Sequence, residues 1–124
     1  MVKPIEAVII EYLNADTGFI EDGIKAYAQE PFNEKPSQNP GKFIVVEKTG
    51  SSCSDYLYSS MIAVQSYAPT VYDASCLSER VIEAMDGLTD LDRITGVGLN
   101  SNYVFNKTST KQPRYQAVFD ISHY

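Results

Sequence analysis

The segment near the end of the chain, residues 114–123, alternates between apolar and polar side chains more regularly than any other. The apolar positions are Tyr115, Ala117, Phe119 and Ile121. Polar residues stand between them, with Val118 as the one apolar exception. A period of two is typical of a strand with one buried side and one solvent-facing side. This pattern predicts a terminal β-strand over residues 114–123.

Two other segments have the spacing of amphipathic helices. Pro4 suits a first helical turn, and apolar residues then recur at helical spacing as far as residue 14. Residues 71–86 carry one continuous apolar stripe, and their opposite side is mostly charged. Thr70 is suited to cap this second helix at its start, and Gly87 to end it. We therefore predict helices over residues 4–14 and 71–86.

The middle of the chain favours strands separated by a long loop. Residues 24–29 are a weak strand candidate, and the β-branched run at 43–48 predicts a central strand that turns at 49–52. Residues 30–42 contain three prolines and few residues that can pack, which predicts a long mobile loop. The elements before and after this loop then belong to one sheet.

Two more strands complete the expected sheet. The sides of the long strand at 56–67 are out of phase, so we expect a bulge near Ser59 and Ser60. Residues 94–105 form a strand loosened by glycines, and a polar turn at 106–112 predicts a hairpin with the terminal strand. The whole pattern predicts one domain over 1–124. Its fold class is α+β, a mostly antiparallel sheet of four to five strands with two helices packed on one face.

Charge and cysteine usage narrow the class of protein. The formal net charge is −6, which disfavours binding of nucleic acid through its phosphates. The two cysteines, Cys53 and Cys76, have no metal-site spacing, and we expect them to be reduced thiols of an intracellular protein. Glu6 and Glu11 interrupt the apolar run near the N-terminus, so we expect neither a signal peptide nor a membrane span.

The sequence offers little for catalysis. The single histidine, His123, is the penultimate residue, where we expect it to be exposed and too loosely held to act as an oriented base. Asp86, Asp90 and Asp92 lie close together but lack the pattern of a calcium loop. No pattern here identifies catalytic residues, a metal site or a cofactor. The nine tyrosines fit half-buried strand positions, and an interface role for them stays open.

Three segments together resemble a known family. They are residues 40–50, with Pro-Gly-Lys leading into a strand that ends in Glu-Lys-Thr-Gly; residues 62–68, Ile-Ala-Val-Gln-Ser-Tyr-Ala, leading into a helix; and the Arg-Tyr opening of residues 114–121. In this order and spacing the chain resembles the tail terminator, or tail completion, proteins of the siphophage neck. The resemblance covers nearly all of the chain beyond residue 25.

The resemblance implies a structural assembly protein that is not an enzyme. Such proteins form a ring, most often a hexamer, that caps the tail tube, ends its polymerisation and provides the docking face for the head connector. The implied partners are further copies of the chain, the tail tube protein and the head–tail connector protein. The implied location is the virion neck, after synthesis in the host cytoplasm. Genomic DNA would pass through an acidic bore without specific binding.

The segments expected to protrude supply the candidate partner-interface residues. These are Phe32, Lys35, Lys42, Tyr56, Tyr58, Lys107, Lys111 and Arg114. If a ring forms, the polar side of the terminal strand should be partly covered at Val118 by a second helix or a neighbouring subunit. The alternative function is a small-ligand-binding or regulatory α+β domain that holds a metabolite on the free side of its sheet.

Overall fold

The computed structural model describes residues 4–28, 42–54, 57–104 and 114–124. Within them the elements are α1 (Ile5–Asn14), α2 (Thr17–Glu21), β1 (Ala26–Tyr27), β2 (Phe43–Ser54), β3 (Leu57–Tyr67), α3 (Val71–Asp86), a 3-10 turn (Gly87–Asp90), β4 (Ile94–Val104) and β5 (Arg114–His123). The predicted loop at 30–42 and the predicted turn at 106–112 lie almost entirely outside the described residues.

The five strands form one sheet in the order β1-β2-β3-β5-β4. The short β1 pairs parallel to β2, and the other three pairings are antiparallel. The predicted α+β class, with its mostly antiparallel sheet and helices on one side, is confirmed. The two halves of the chain interleave in the sheet, because β5 lies between β3 and β4.

The main core lies between the sheet and the helices α1 and α3. Ile9 and Val81 are fully buried and face the same side of the sheet, which contributes Val64 and Phe119. Each side chain of this kind contributes about 1.5–3 kcal/mol when it is taken out of water. The two helices also touch each other, since the Tyr12 hydroxyl donates a 2.6 Å hydrogen bond to the carbonyl oxygen of Ala84.

The strongest sequence patterns gave correct bounds. The helix predicted over 71–86 and the strand predicted over 114–123 are α3 and β5. Thr70 caps α3 as expected, because its Oγ1 accepts a 3.1 Å hydrogen bond from the backbone N–H of Asp73. Gly87 ends the same helix in an ordinary right-handed conformation.

The turn predicted at 49–52 is wrong. β2 continues through these residues to Ser54 and pairs with β3 along its whole length. The bulge is also misplaced, since the register between β2 and β3 shifts between Lys48 and Gly50, while β3 continues through Ser59 and Ser60. Serine and threonine satisfy the local rules for a turn, but here cross-strand pairing decides the conformation.

A second short helix was not predicted. The apolar spacing predicts only that α1 ends at residue 14, yet α2 begins at Thr17. The Asp16 carboxylate starts it by accepting hydrogen bonds from the N–H groups of Gly18 and Phe19, at 2.9 and 3.3 Å. Phe19 is buried in the main core, which gives this single turn its tertiary support.

Candidate functional site: the free face of the sheet

The side of the sheet opposite α1 and α3 is called the free face here. Strand alternation places there the odd-numbered residues of β3, which are mostly apolar, and the even-numbered residues of β5, which are polar apart from Val118. Several of these side chains are buried, although none of the described helices packs against this side. Val118 itself is 9% exposed, between Ala63 and Ser101 on the neighbouring strands.

Aromatic rings occupy one end of the free face. The rings of Phe43 and Tyr67, which are paired across β2 and β3, stack with their centroids 4.5 Å apart and their planes 9° apart. Tyr27 of β1 meets Phe43 edge-on at 6.3 Å. Offset and edge-on aromatic pairs add about 0.5–1.5 kcal/mol beyond their buried area. This cluster fixes the start of β2 against the end of β3.

A chain of polar side chains crosses the strands beside these rings. Arg114 donates a 2.6 Å hydrogen bond to the Tyr67 hydroxyl, which donates in turn to Gln65 Oε1 at 3.1 Å. Gln65 Nε2 donates to Gln116 Oε1 at 3.1 Å, and Gln116 Nε2 donates to the Tyr103 hydroxyl at 2.6 Å. The network spans β3, β5 and β4, and it ties the buried Gln65 and Tyr67 to the half-buried Arg114 and Gln116 and to the exposed Tyr103.

Exposed apolar side chains lie further along β3 on the same side of the sheet, away from the network. Leu57 and Met61 project from β3 on the free face and are 38% and 41% exposed. Tyr103, at the end of the network, is similarly exposed. Arginine, tyrosine and methionine are enriched at protein–protein contacts, where their apolar bodies are covered and their polar ends stay paired. Leu57, Met61 and Tyr103 are therefore the large apolar side chains of the described free face that stay accessible.

The end of the β2–β3 hairpin, called the distal hairpin (residues 50–53 and 57–59), is exposed on both sides. Every one of these residues is solvent-exposed, although their backbones pair in regular register. Cys53 is a free thiol in this segment, and Cys76 is a second free and exposed thiol on α3. The distal hairpin thus offers strand surfaces that no described helix covers.

His123 is not the exposed terminal residue that the sequence predicted. It is 3% exposed, because Ile94 and Tyr58 flank it in the sheet and its ring stacks on Tyr58 at 5.4 Å. Its position is fixed because Tyr124 is tied to Arg93, whose carbonyl oxygen accepts the Tyr124 N–H and whose Nε donates to the Tyr124 carbonyl.

The His123 ring forms a hydrogen-bonded pair with a serine. Its Nδ1 lies 3.2 Å from the Tyr124 carbonyl oxygen, which only accepts, so Nδ1 carries the proton and Nε2 accepts from the Ser60 hydroxyl at 2.7 Å. A serine oriented in this way towards an imidazole is the arrangement used for nucleophilic catalysis. Ser60 is only 2% exposed, however, so its hydroxyl is not accessible to a substrate in this conformation.

Burial sets the protonation of this pair. Loss of solvent lowers the pKa of His123, and the positive charges of Arg93 and Lys48 lower it further, while the Tyr124 carbonyl and Glu6 oppose the shift. The neutral ring is therefore the stable form near neutral pH.

Within the described residues, no group of three metal-ligating side chains comes together.

Three of the predicted interface residues are described. Lys42 is exposed at the start of β2, and Arg114 lies on the free face at the same end of the sheet. Tyr58 lies at the opposite end, on the helix side, against His123. The structure thus groups Lys42 with Arg114 and separates Tyr58 from them. The remaining predicted residues, Phe32, Lys35, Tyr56, Lys107 and Lys111, lie outside the described residues.

Sequence reasoning did not single out the polar network itself. Gln65, Tyr67 and Gln116 were treated as strand residues, and only Arg114 was a candidate. A possible signal was the presence of one glutamine in each of two strands with otherwise apolar neighbours, since a strand interior seldom buries an amide without a partner. The pairing of those two strands was needed to bring the amides together.

Two clefts lie near the helices and away from the free face. One of about 330 Å³ is lined by Asn14, Ile20, Gly23, Ile24 and Lys25. The other, of about 380 Å³, lies between α1, α2 and α3, where Arg80 binds Asp22 at 2.8 Å and covers the Phe19 ring. Both are shallow openings at the edge of the core, and the Arg80 interactions explain how α2 is held against α3.

Comparison with known proteins gives no family assignment. No protein-family model matches the chain, and no curated protein matches it significantly. None of the helices in the described part of the chain is both long and apolar enough to cross a membrane.

Proposed function

We propose that the chain is a structural assembly protein of a tailed-phage neck. In this proposal, copies of the chain form a ring, most simply a hexamer, that caps the tail tube, ends its polymerisation and provides the docking face for the head connector. The proposal joins the three sequence segments that resemble tail terminator proteins to an α+β fold of the expected class. Its location would be the neck of the virion.

The free face is the observation that carries this proposal. Its hydrogen-bonded network keeps Arg114 and Tyr103 in place before any partner binds, and Leu57 and Met61 are exposed on the same side, further along β3. A surface arranged in advance loses little side-chain entropy on binding. A ring protein that must recognise the flat end of a tube needs a broad surface of this kind, whereas a metabolite needs a concave one.

The acidic composition agrees with the role proposed for the bore. Six chains of net charge −6 would present negative charge to DNA that passes through the ring. Electrostatic repulsion would then leave the DNA free to move, because there is no excess of cations to neutralise its phosphates. The tail tube protein and the connector protein remain the proposed partners.

Addition of the purified protein to tail tube protein that is polymerising tests this function. We expect tubes of the native length with a six-fold ring at one end in electron micrographs. A Met61→Asp variant should cap tubes at least about tenfold more weakly, because it places a charge in the proposed contact. Ile20→Asp is the matched control, since Ile20 is an exposed apolar residue on α2, away from the free face. Tubes that grow unchanged in the presence of the wild-type protein would contradict the proposal.

A further inference from the structure

The two edges of the sheet carry few of the charged residues and prolines that usually protect an edge. Bulges do interrupt them, on β2 between Lys48 and Gly50, and on β4 between Ile94 and Gly96 and between Leu99 and Ser101. β4 forms one edge over its full length of 11 residues and pairs only with β5 among the described residues. Its sequence, Ile-Thr-Gly-Val-Gly-Leu-Asn-Ser-Asn-Tyr-Val, contains neither a charged residue nor a proline. Edge strands normally carry such residues because they prevent pairing with another chain.

The opposite edge is open over part of its length. β1 pairs with β2 only at Ile44 and Val45, so residues 46–54 of β2 have a strand on one side only within the described part of the chain. Beyond Lys48 this stretch is also without charge and proline. Among the described residues, the sheet therefore has two edges whose outward backbone N–H and C=O groups have no described strand beside them.

The strand directions make these two edges complementary. β2, β3, β5 and β4 alternate in direction, so β4 runs opposite to β2. When a second copy is placed beside the first with its sheet facing the same way, the open part of its β2 lies antiparallel to β4. Antiparallel pairing is the commoner and more regular ladder. The short β1 does not block it, because β1 occupies only the beginning of β2.

From these features we propose that the chain assembles edge to edge, with β4 of one copy pairing antiparallel to residues 46–54 of β2 in the next copy. This inference deepens the proposed ring and rests on it for the closure of the assembly. The contact is heterologous, because the two edges are different surfaces, and repeated heterologous contacts generate either a ring or an open filament. The free face and the helices stay outside the subunit contact.

Single lysine substitutions on the two edges test this pairing. Leu99→Lys places a charge on β4, where Leu99 is 48% exposed, and Ser52→Lys places one on the open part of β2. Each variant should associate at least about tenfold more weakly than the wild type in sedimentation equilibrium, since a strand cannot cover a lysine without desolvating it. Ile20→Lys adds the same charge on α2 and should associate as the wild type does. Circular dichroism melting would show that all three variants are folded.

Mixing the two edge variants identifies the geometry. Leu99→Lys retains an intact β2 edge and Ser52→Lys retains an intact β4 edge, so an equimolar mixture should form one good contact and stop at a dimer. Hydrogen exchange of the wild type should slow with rising concentration in residues 46–53 and 94–104. A monomeric wild type, full assembly by either edge variant alone, or no dimer in the mixture would overturn the inference.

The outcomes separate this inference from the proposed function. Edge-to-edge assembly that does not cap tail tubes would leave the pairing correct and the neck function wrong. Rings that cap tubes while the amides of β4 exchange as fast as in the monomer would leave the function correct and the pairing wrong.

Discussion

At the scale of single residues, His123 has the most specific environment in the described chain. It accepts the Ser60 hydroxyl, donates to the Tyr124 carbonyl and stacks on the Tyr58 ring, all at the end of the sheet that continues into the distal hairpin. The positively charged Arg93 and Lys48 are close enough to disfavour its protonation. Protonation of the His123 imidazole should therefore affect the stability of this end of the sheet.

The first prediction concerns the pH dependence of stability. The unfolded chain binds a proton at His123 near the ordinary pKa of about 6.5, and the folded chain binds it only at lower pH because burial lowers that pKa. The unfolded state therefore holds more protons between the two pKa values, so the free energy of unfolding falls as the pH drops from about 6.5 towards the folded pKa. Urea unfolding at about pH 8 and at about pH 5 measures this change.

The control for that experiment is His123→Asn, which removes the titrating ring. Carboxylates also titrate over part of the range, so the informative quantity is the difference in pH dependence between the wild type and this variant. The variant should lose less stability on acidification than the wild type does. An equal loss in both proteins would mean that His123 is not the group responsible.

Val118 allows a second prediction at this scale. It is 9% exposed in the single chain, so its burial does not depend on a neighbouring subunit. Val118→Lys should lower the free energy of unfolding by about 1.5–3 kcal/mol, because the apolar contacts of Val118 are lost and the lysine ammonium group would be placed at a buried position. Asp120→Lys, an exposed change two positions along the same side of β5, should change it by less than about 0.5 kcal/mol. Similar urea midpoints for both variants would contradict this burial.

Elements with a strong period were predictable, and those that depend on distant partners were not. The stripe of α3 and the alternation of β5 repeat over enough residues for local pattern to define them. The distal hairpin, in contrast, is rich in serine, and its strands exist because β2 and β3 pair residue by residue from Phe43–Tyr67 to Ser54–Leu57. His123 was misjudged for the same reason, since Ser60 lies 63 positions away along the chain.

The cap of α3 gives the prediction at the scale of elements. Thr70 Oγ1 is the acceptor for one of the otherwise unpaired N–H groups of the first turn. Thr70→Ala should therefore lower the free energy of unfolding by about 1 kcal/mol. Thr17→Ala is the matched control, because Thr17 also stands at a helix start but α2 is capped by Asp16. The urea midpoint of Thr70→Ala should therefore be lower than that of Thr17→Ala. Equal midpoints would mean that the Thr70 cap does not contribute to stability.

At the scale of the whole molecule, one side of the sheet is committed to the core, and the other side is buried at Phe43, Ala63 and Tyr67 but exposed at Leu57 and Met61. The helices cover one face, the free face carries a fixed polar network, and both edges are open among the described strands. The sequence indicated the class of fold and one member of the network, Arg114. It could not indicate the free face or the edges, because these arise from the order of the strands, in which β5 lies inside β4.

The last prediction follows from the combination of an acidic molecule with an edge strand, β4, that carries no charged residue. Copies of net charge −6 repel one another, whereas a contact through β4 has no ion pairs on that strand to be weakened by salt. Raising the ionic strength from about 0.05 M to about 0.5 M should therefore strengthen self-association in sedimentation equilibrium, because it screens the repulsion. The double variant Glu79→Gln/Glu83→Gln, on the exposed side of α3, reduces the negative net charge from −6 to −4. Because its copies repel one another less, it should associate more tightly than the wild type at low salt, and added salt should strengthen its association less. Association that weakens as salt is added would instead place ion pairs in the contact and argue against β4.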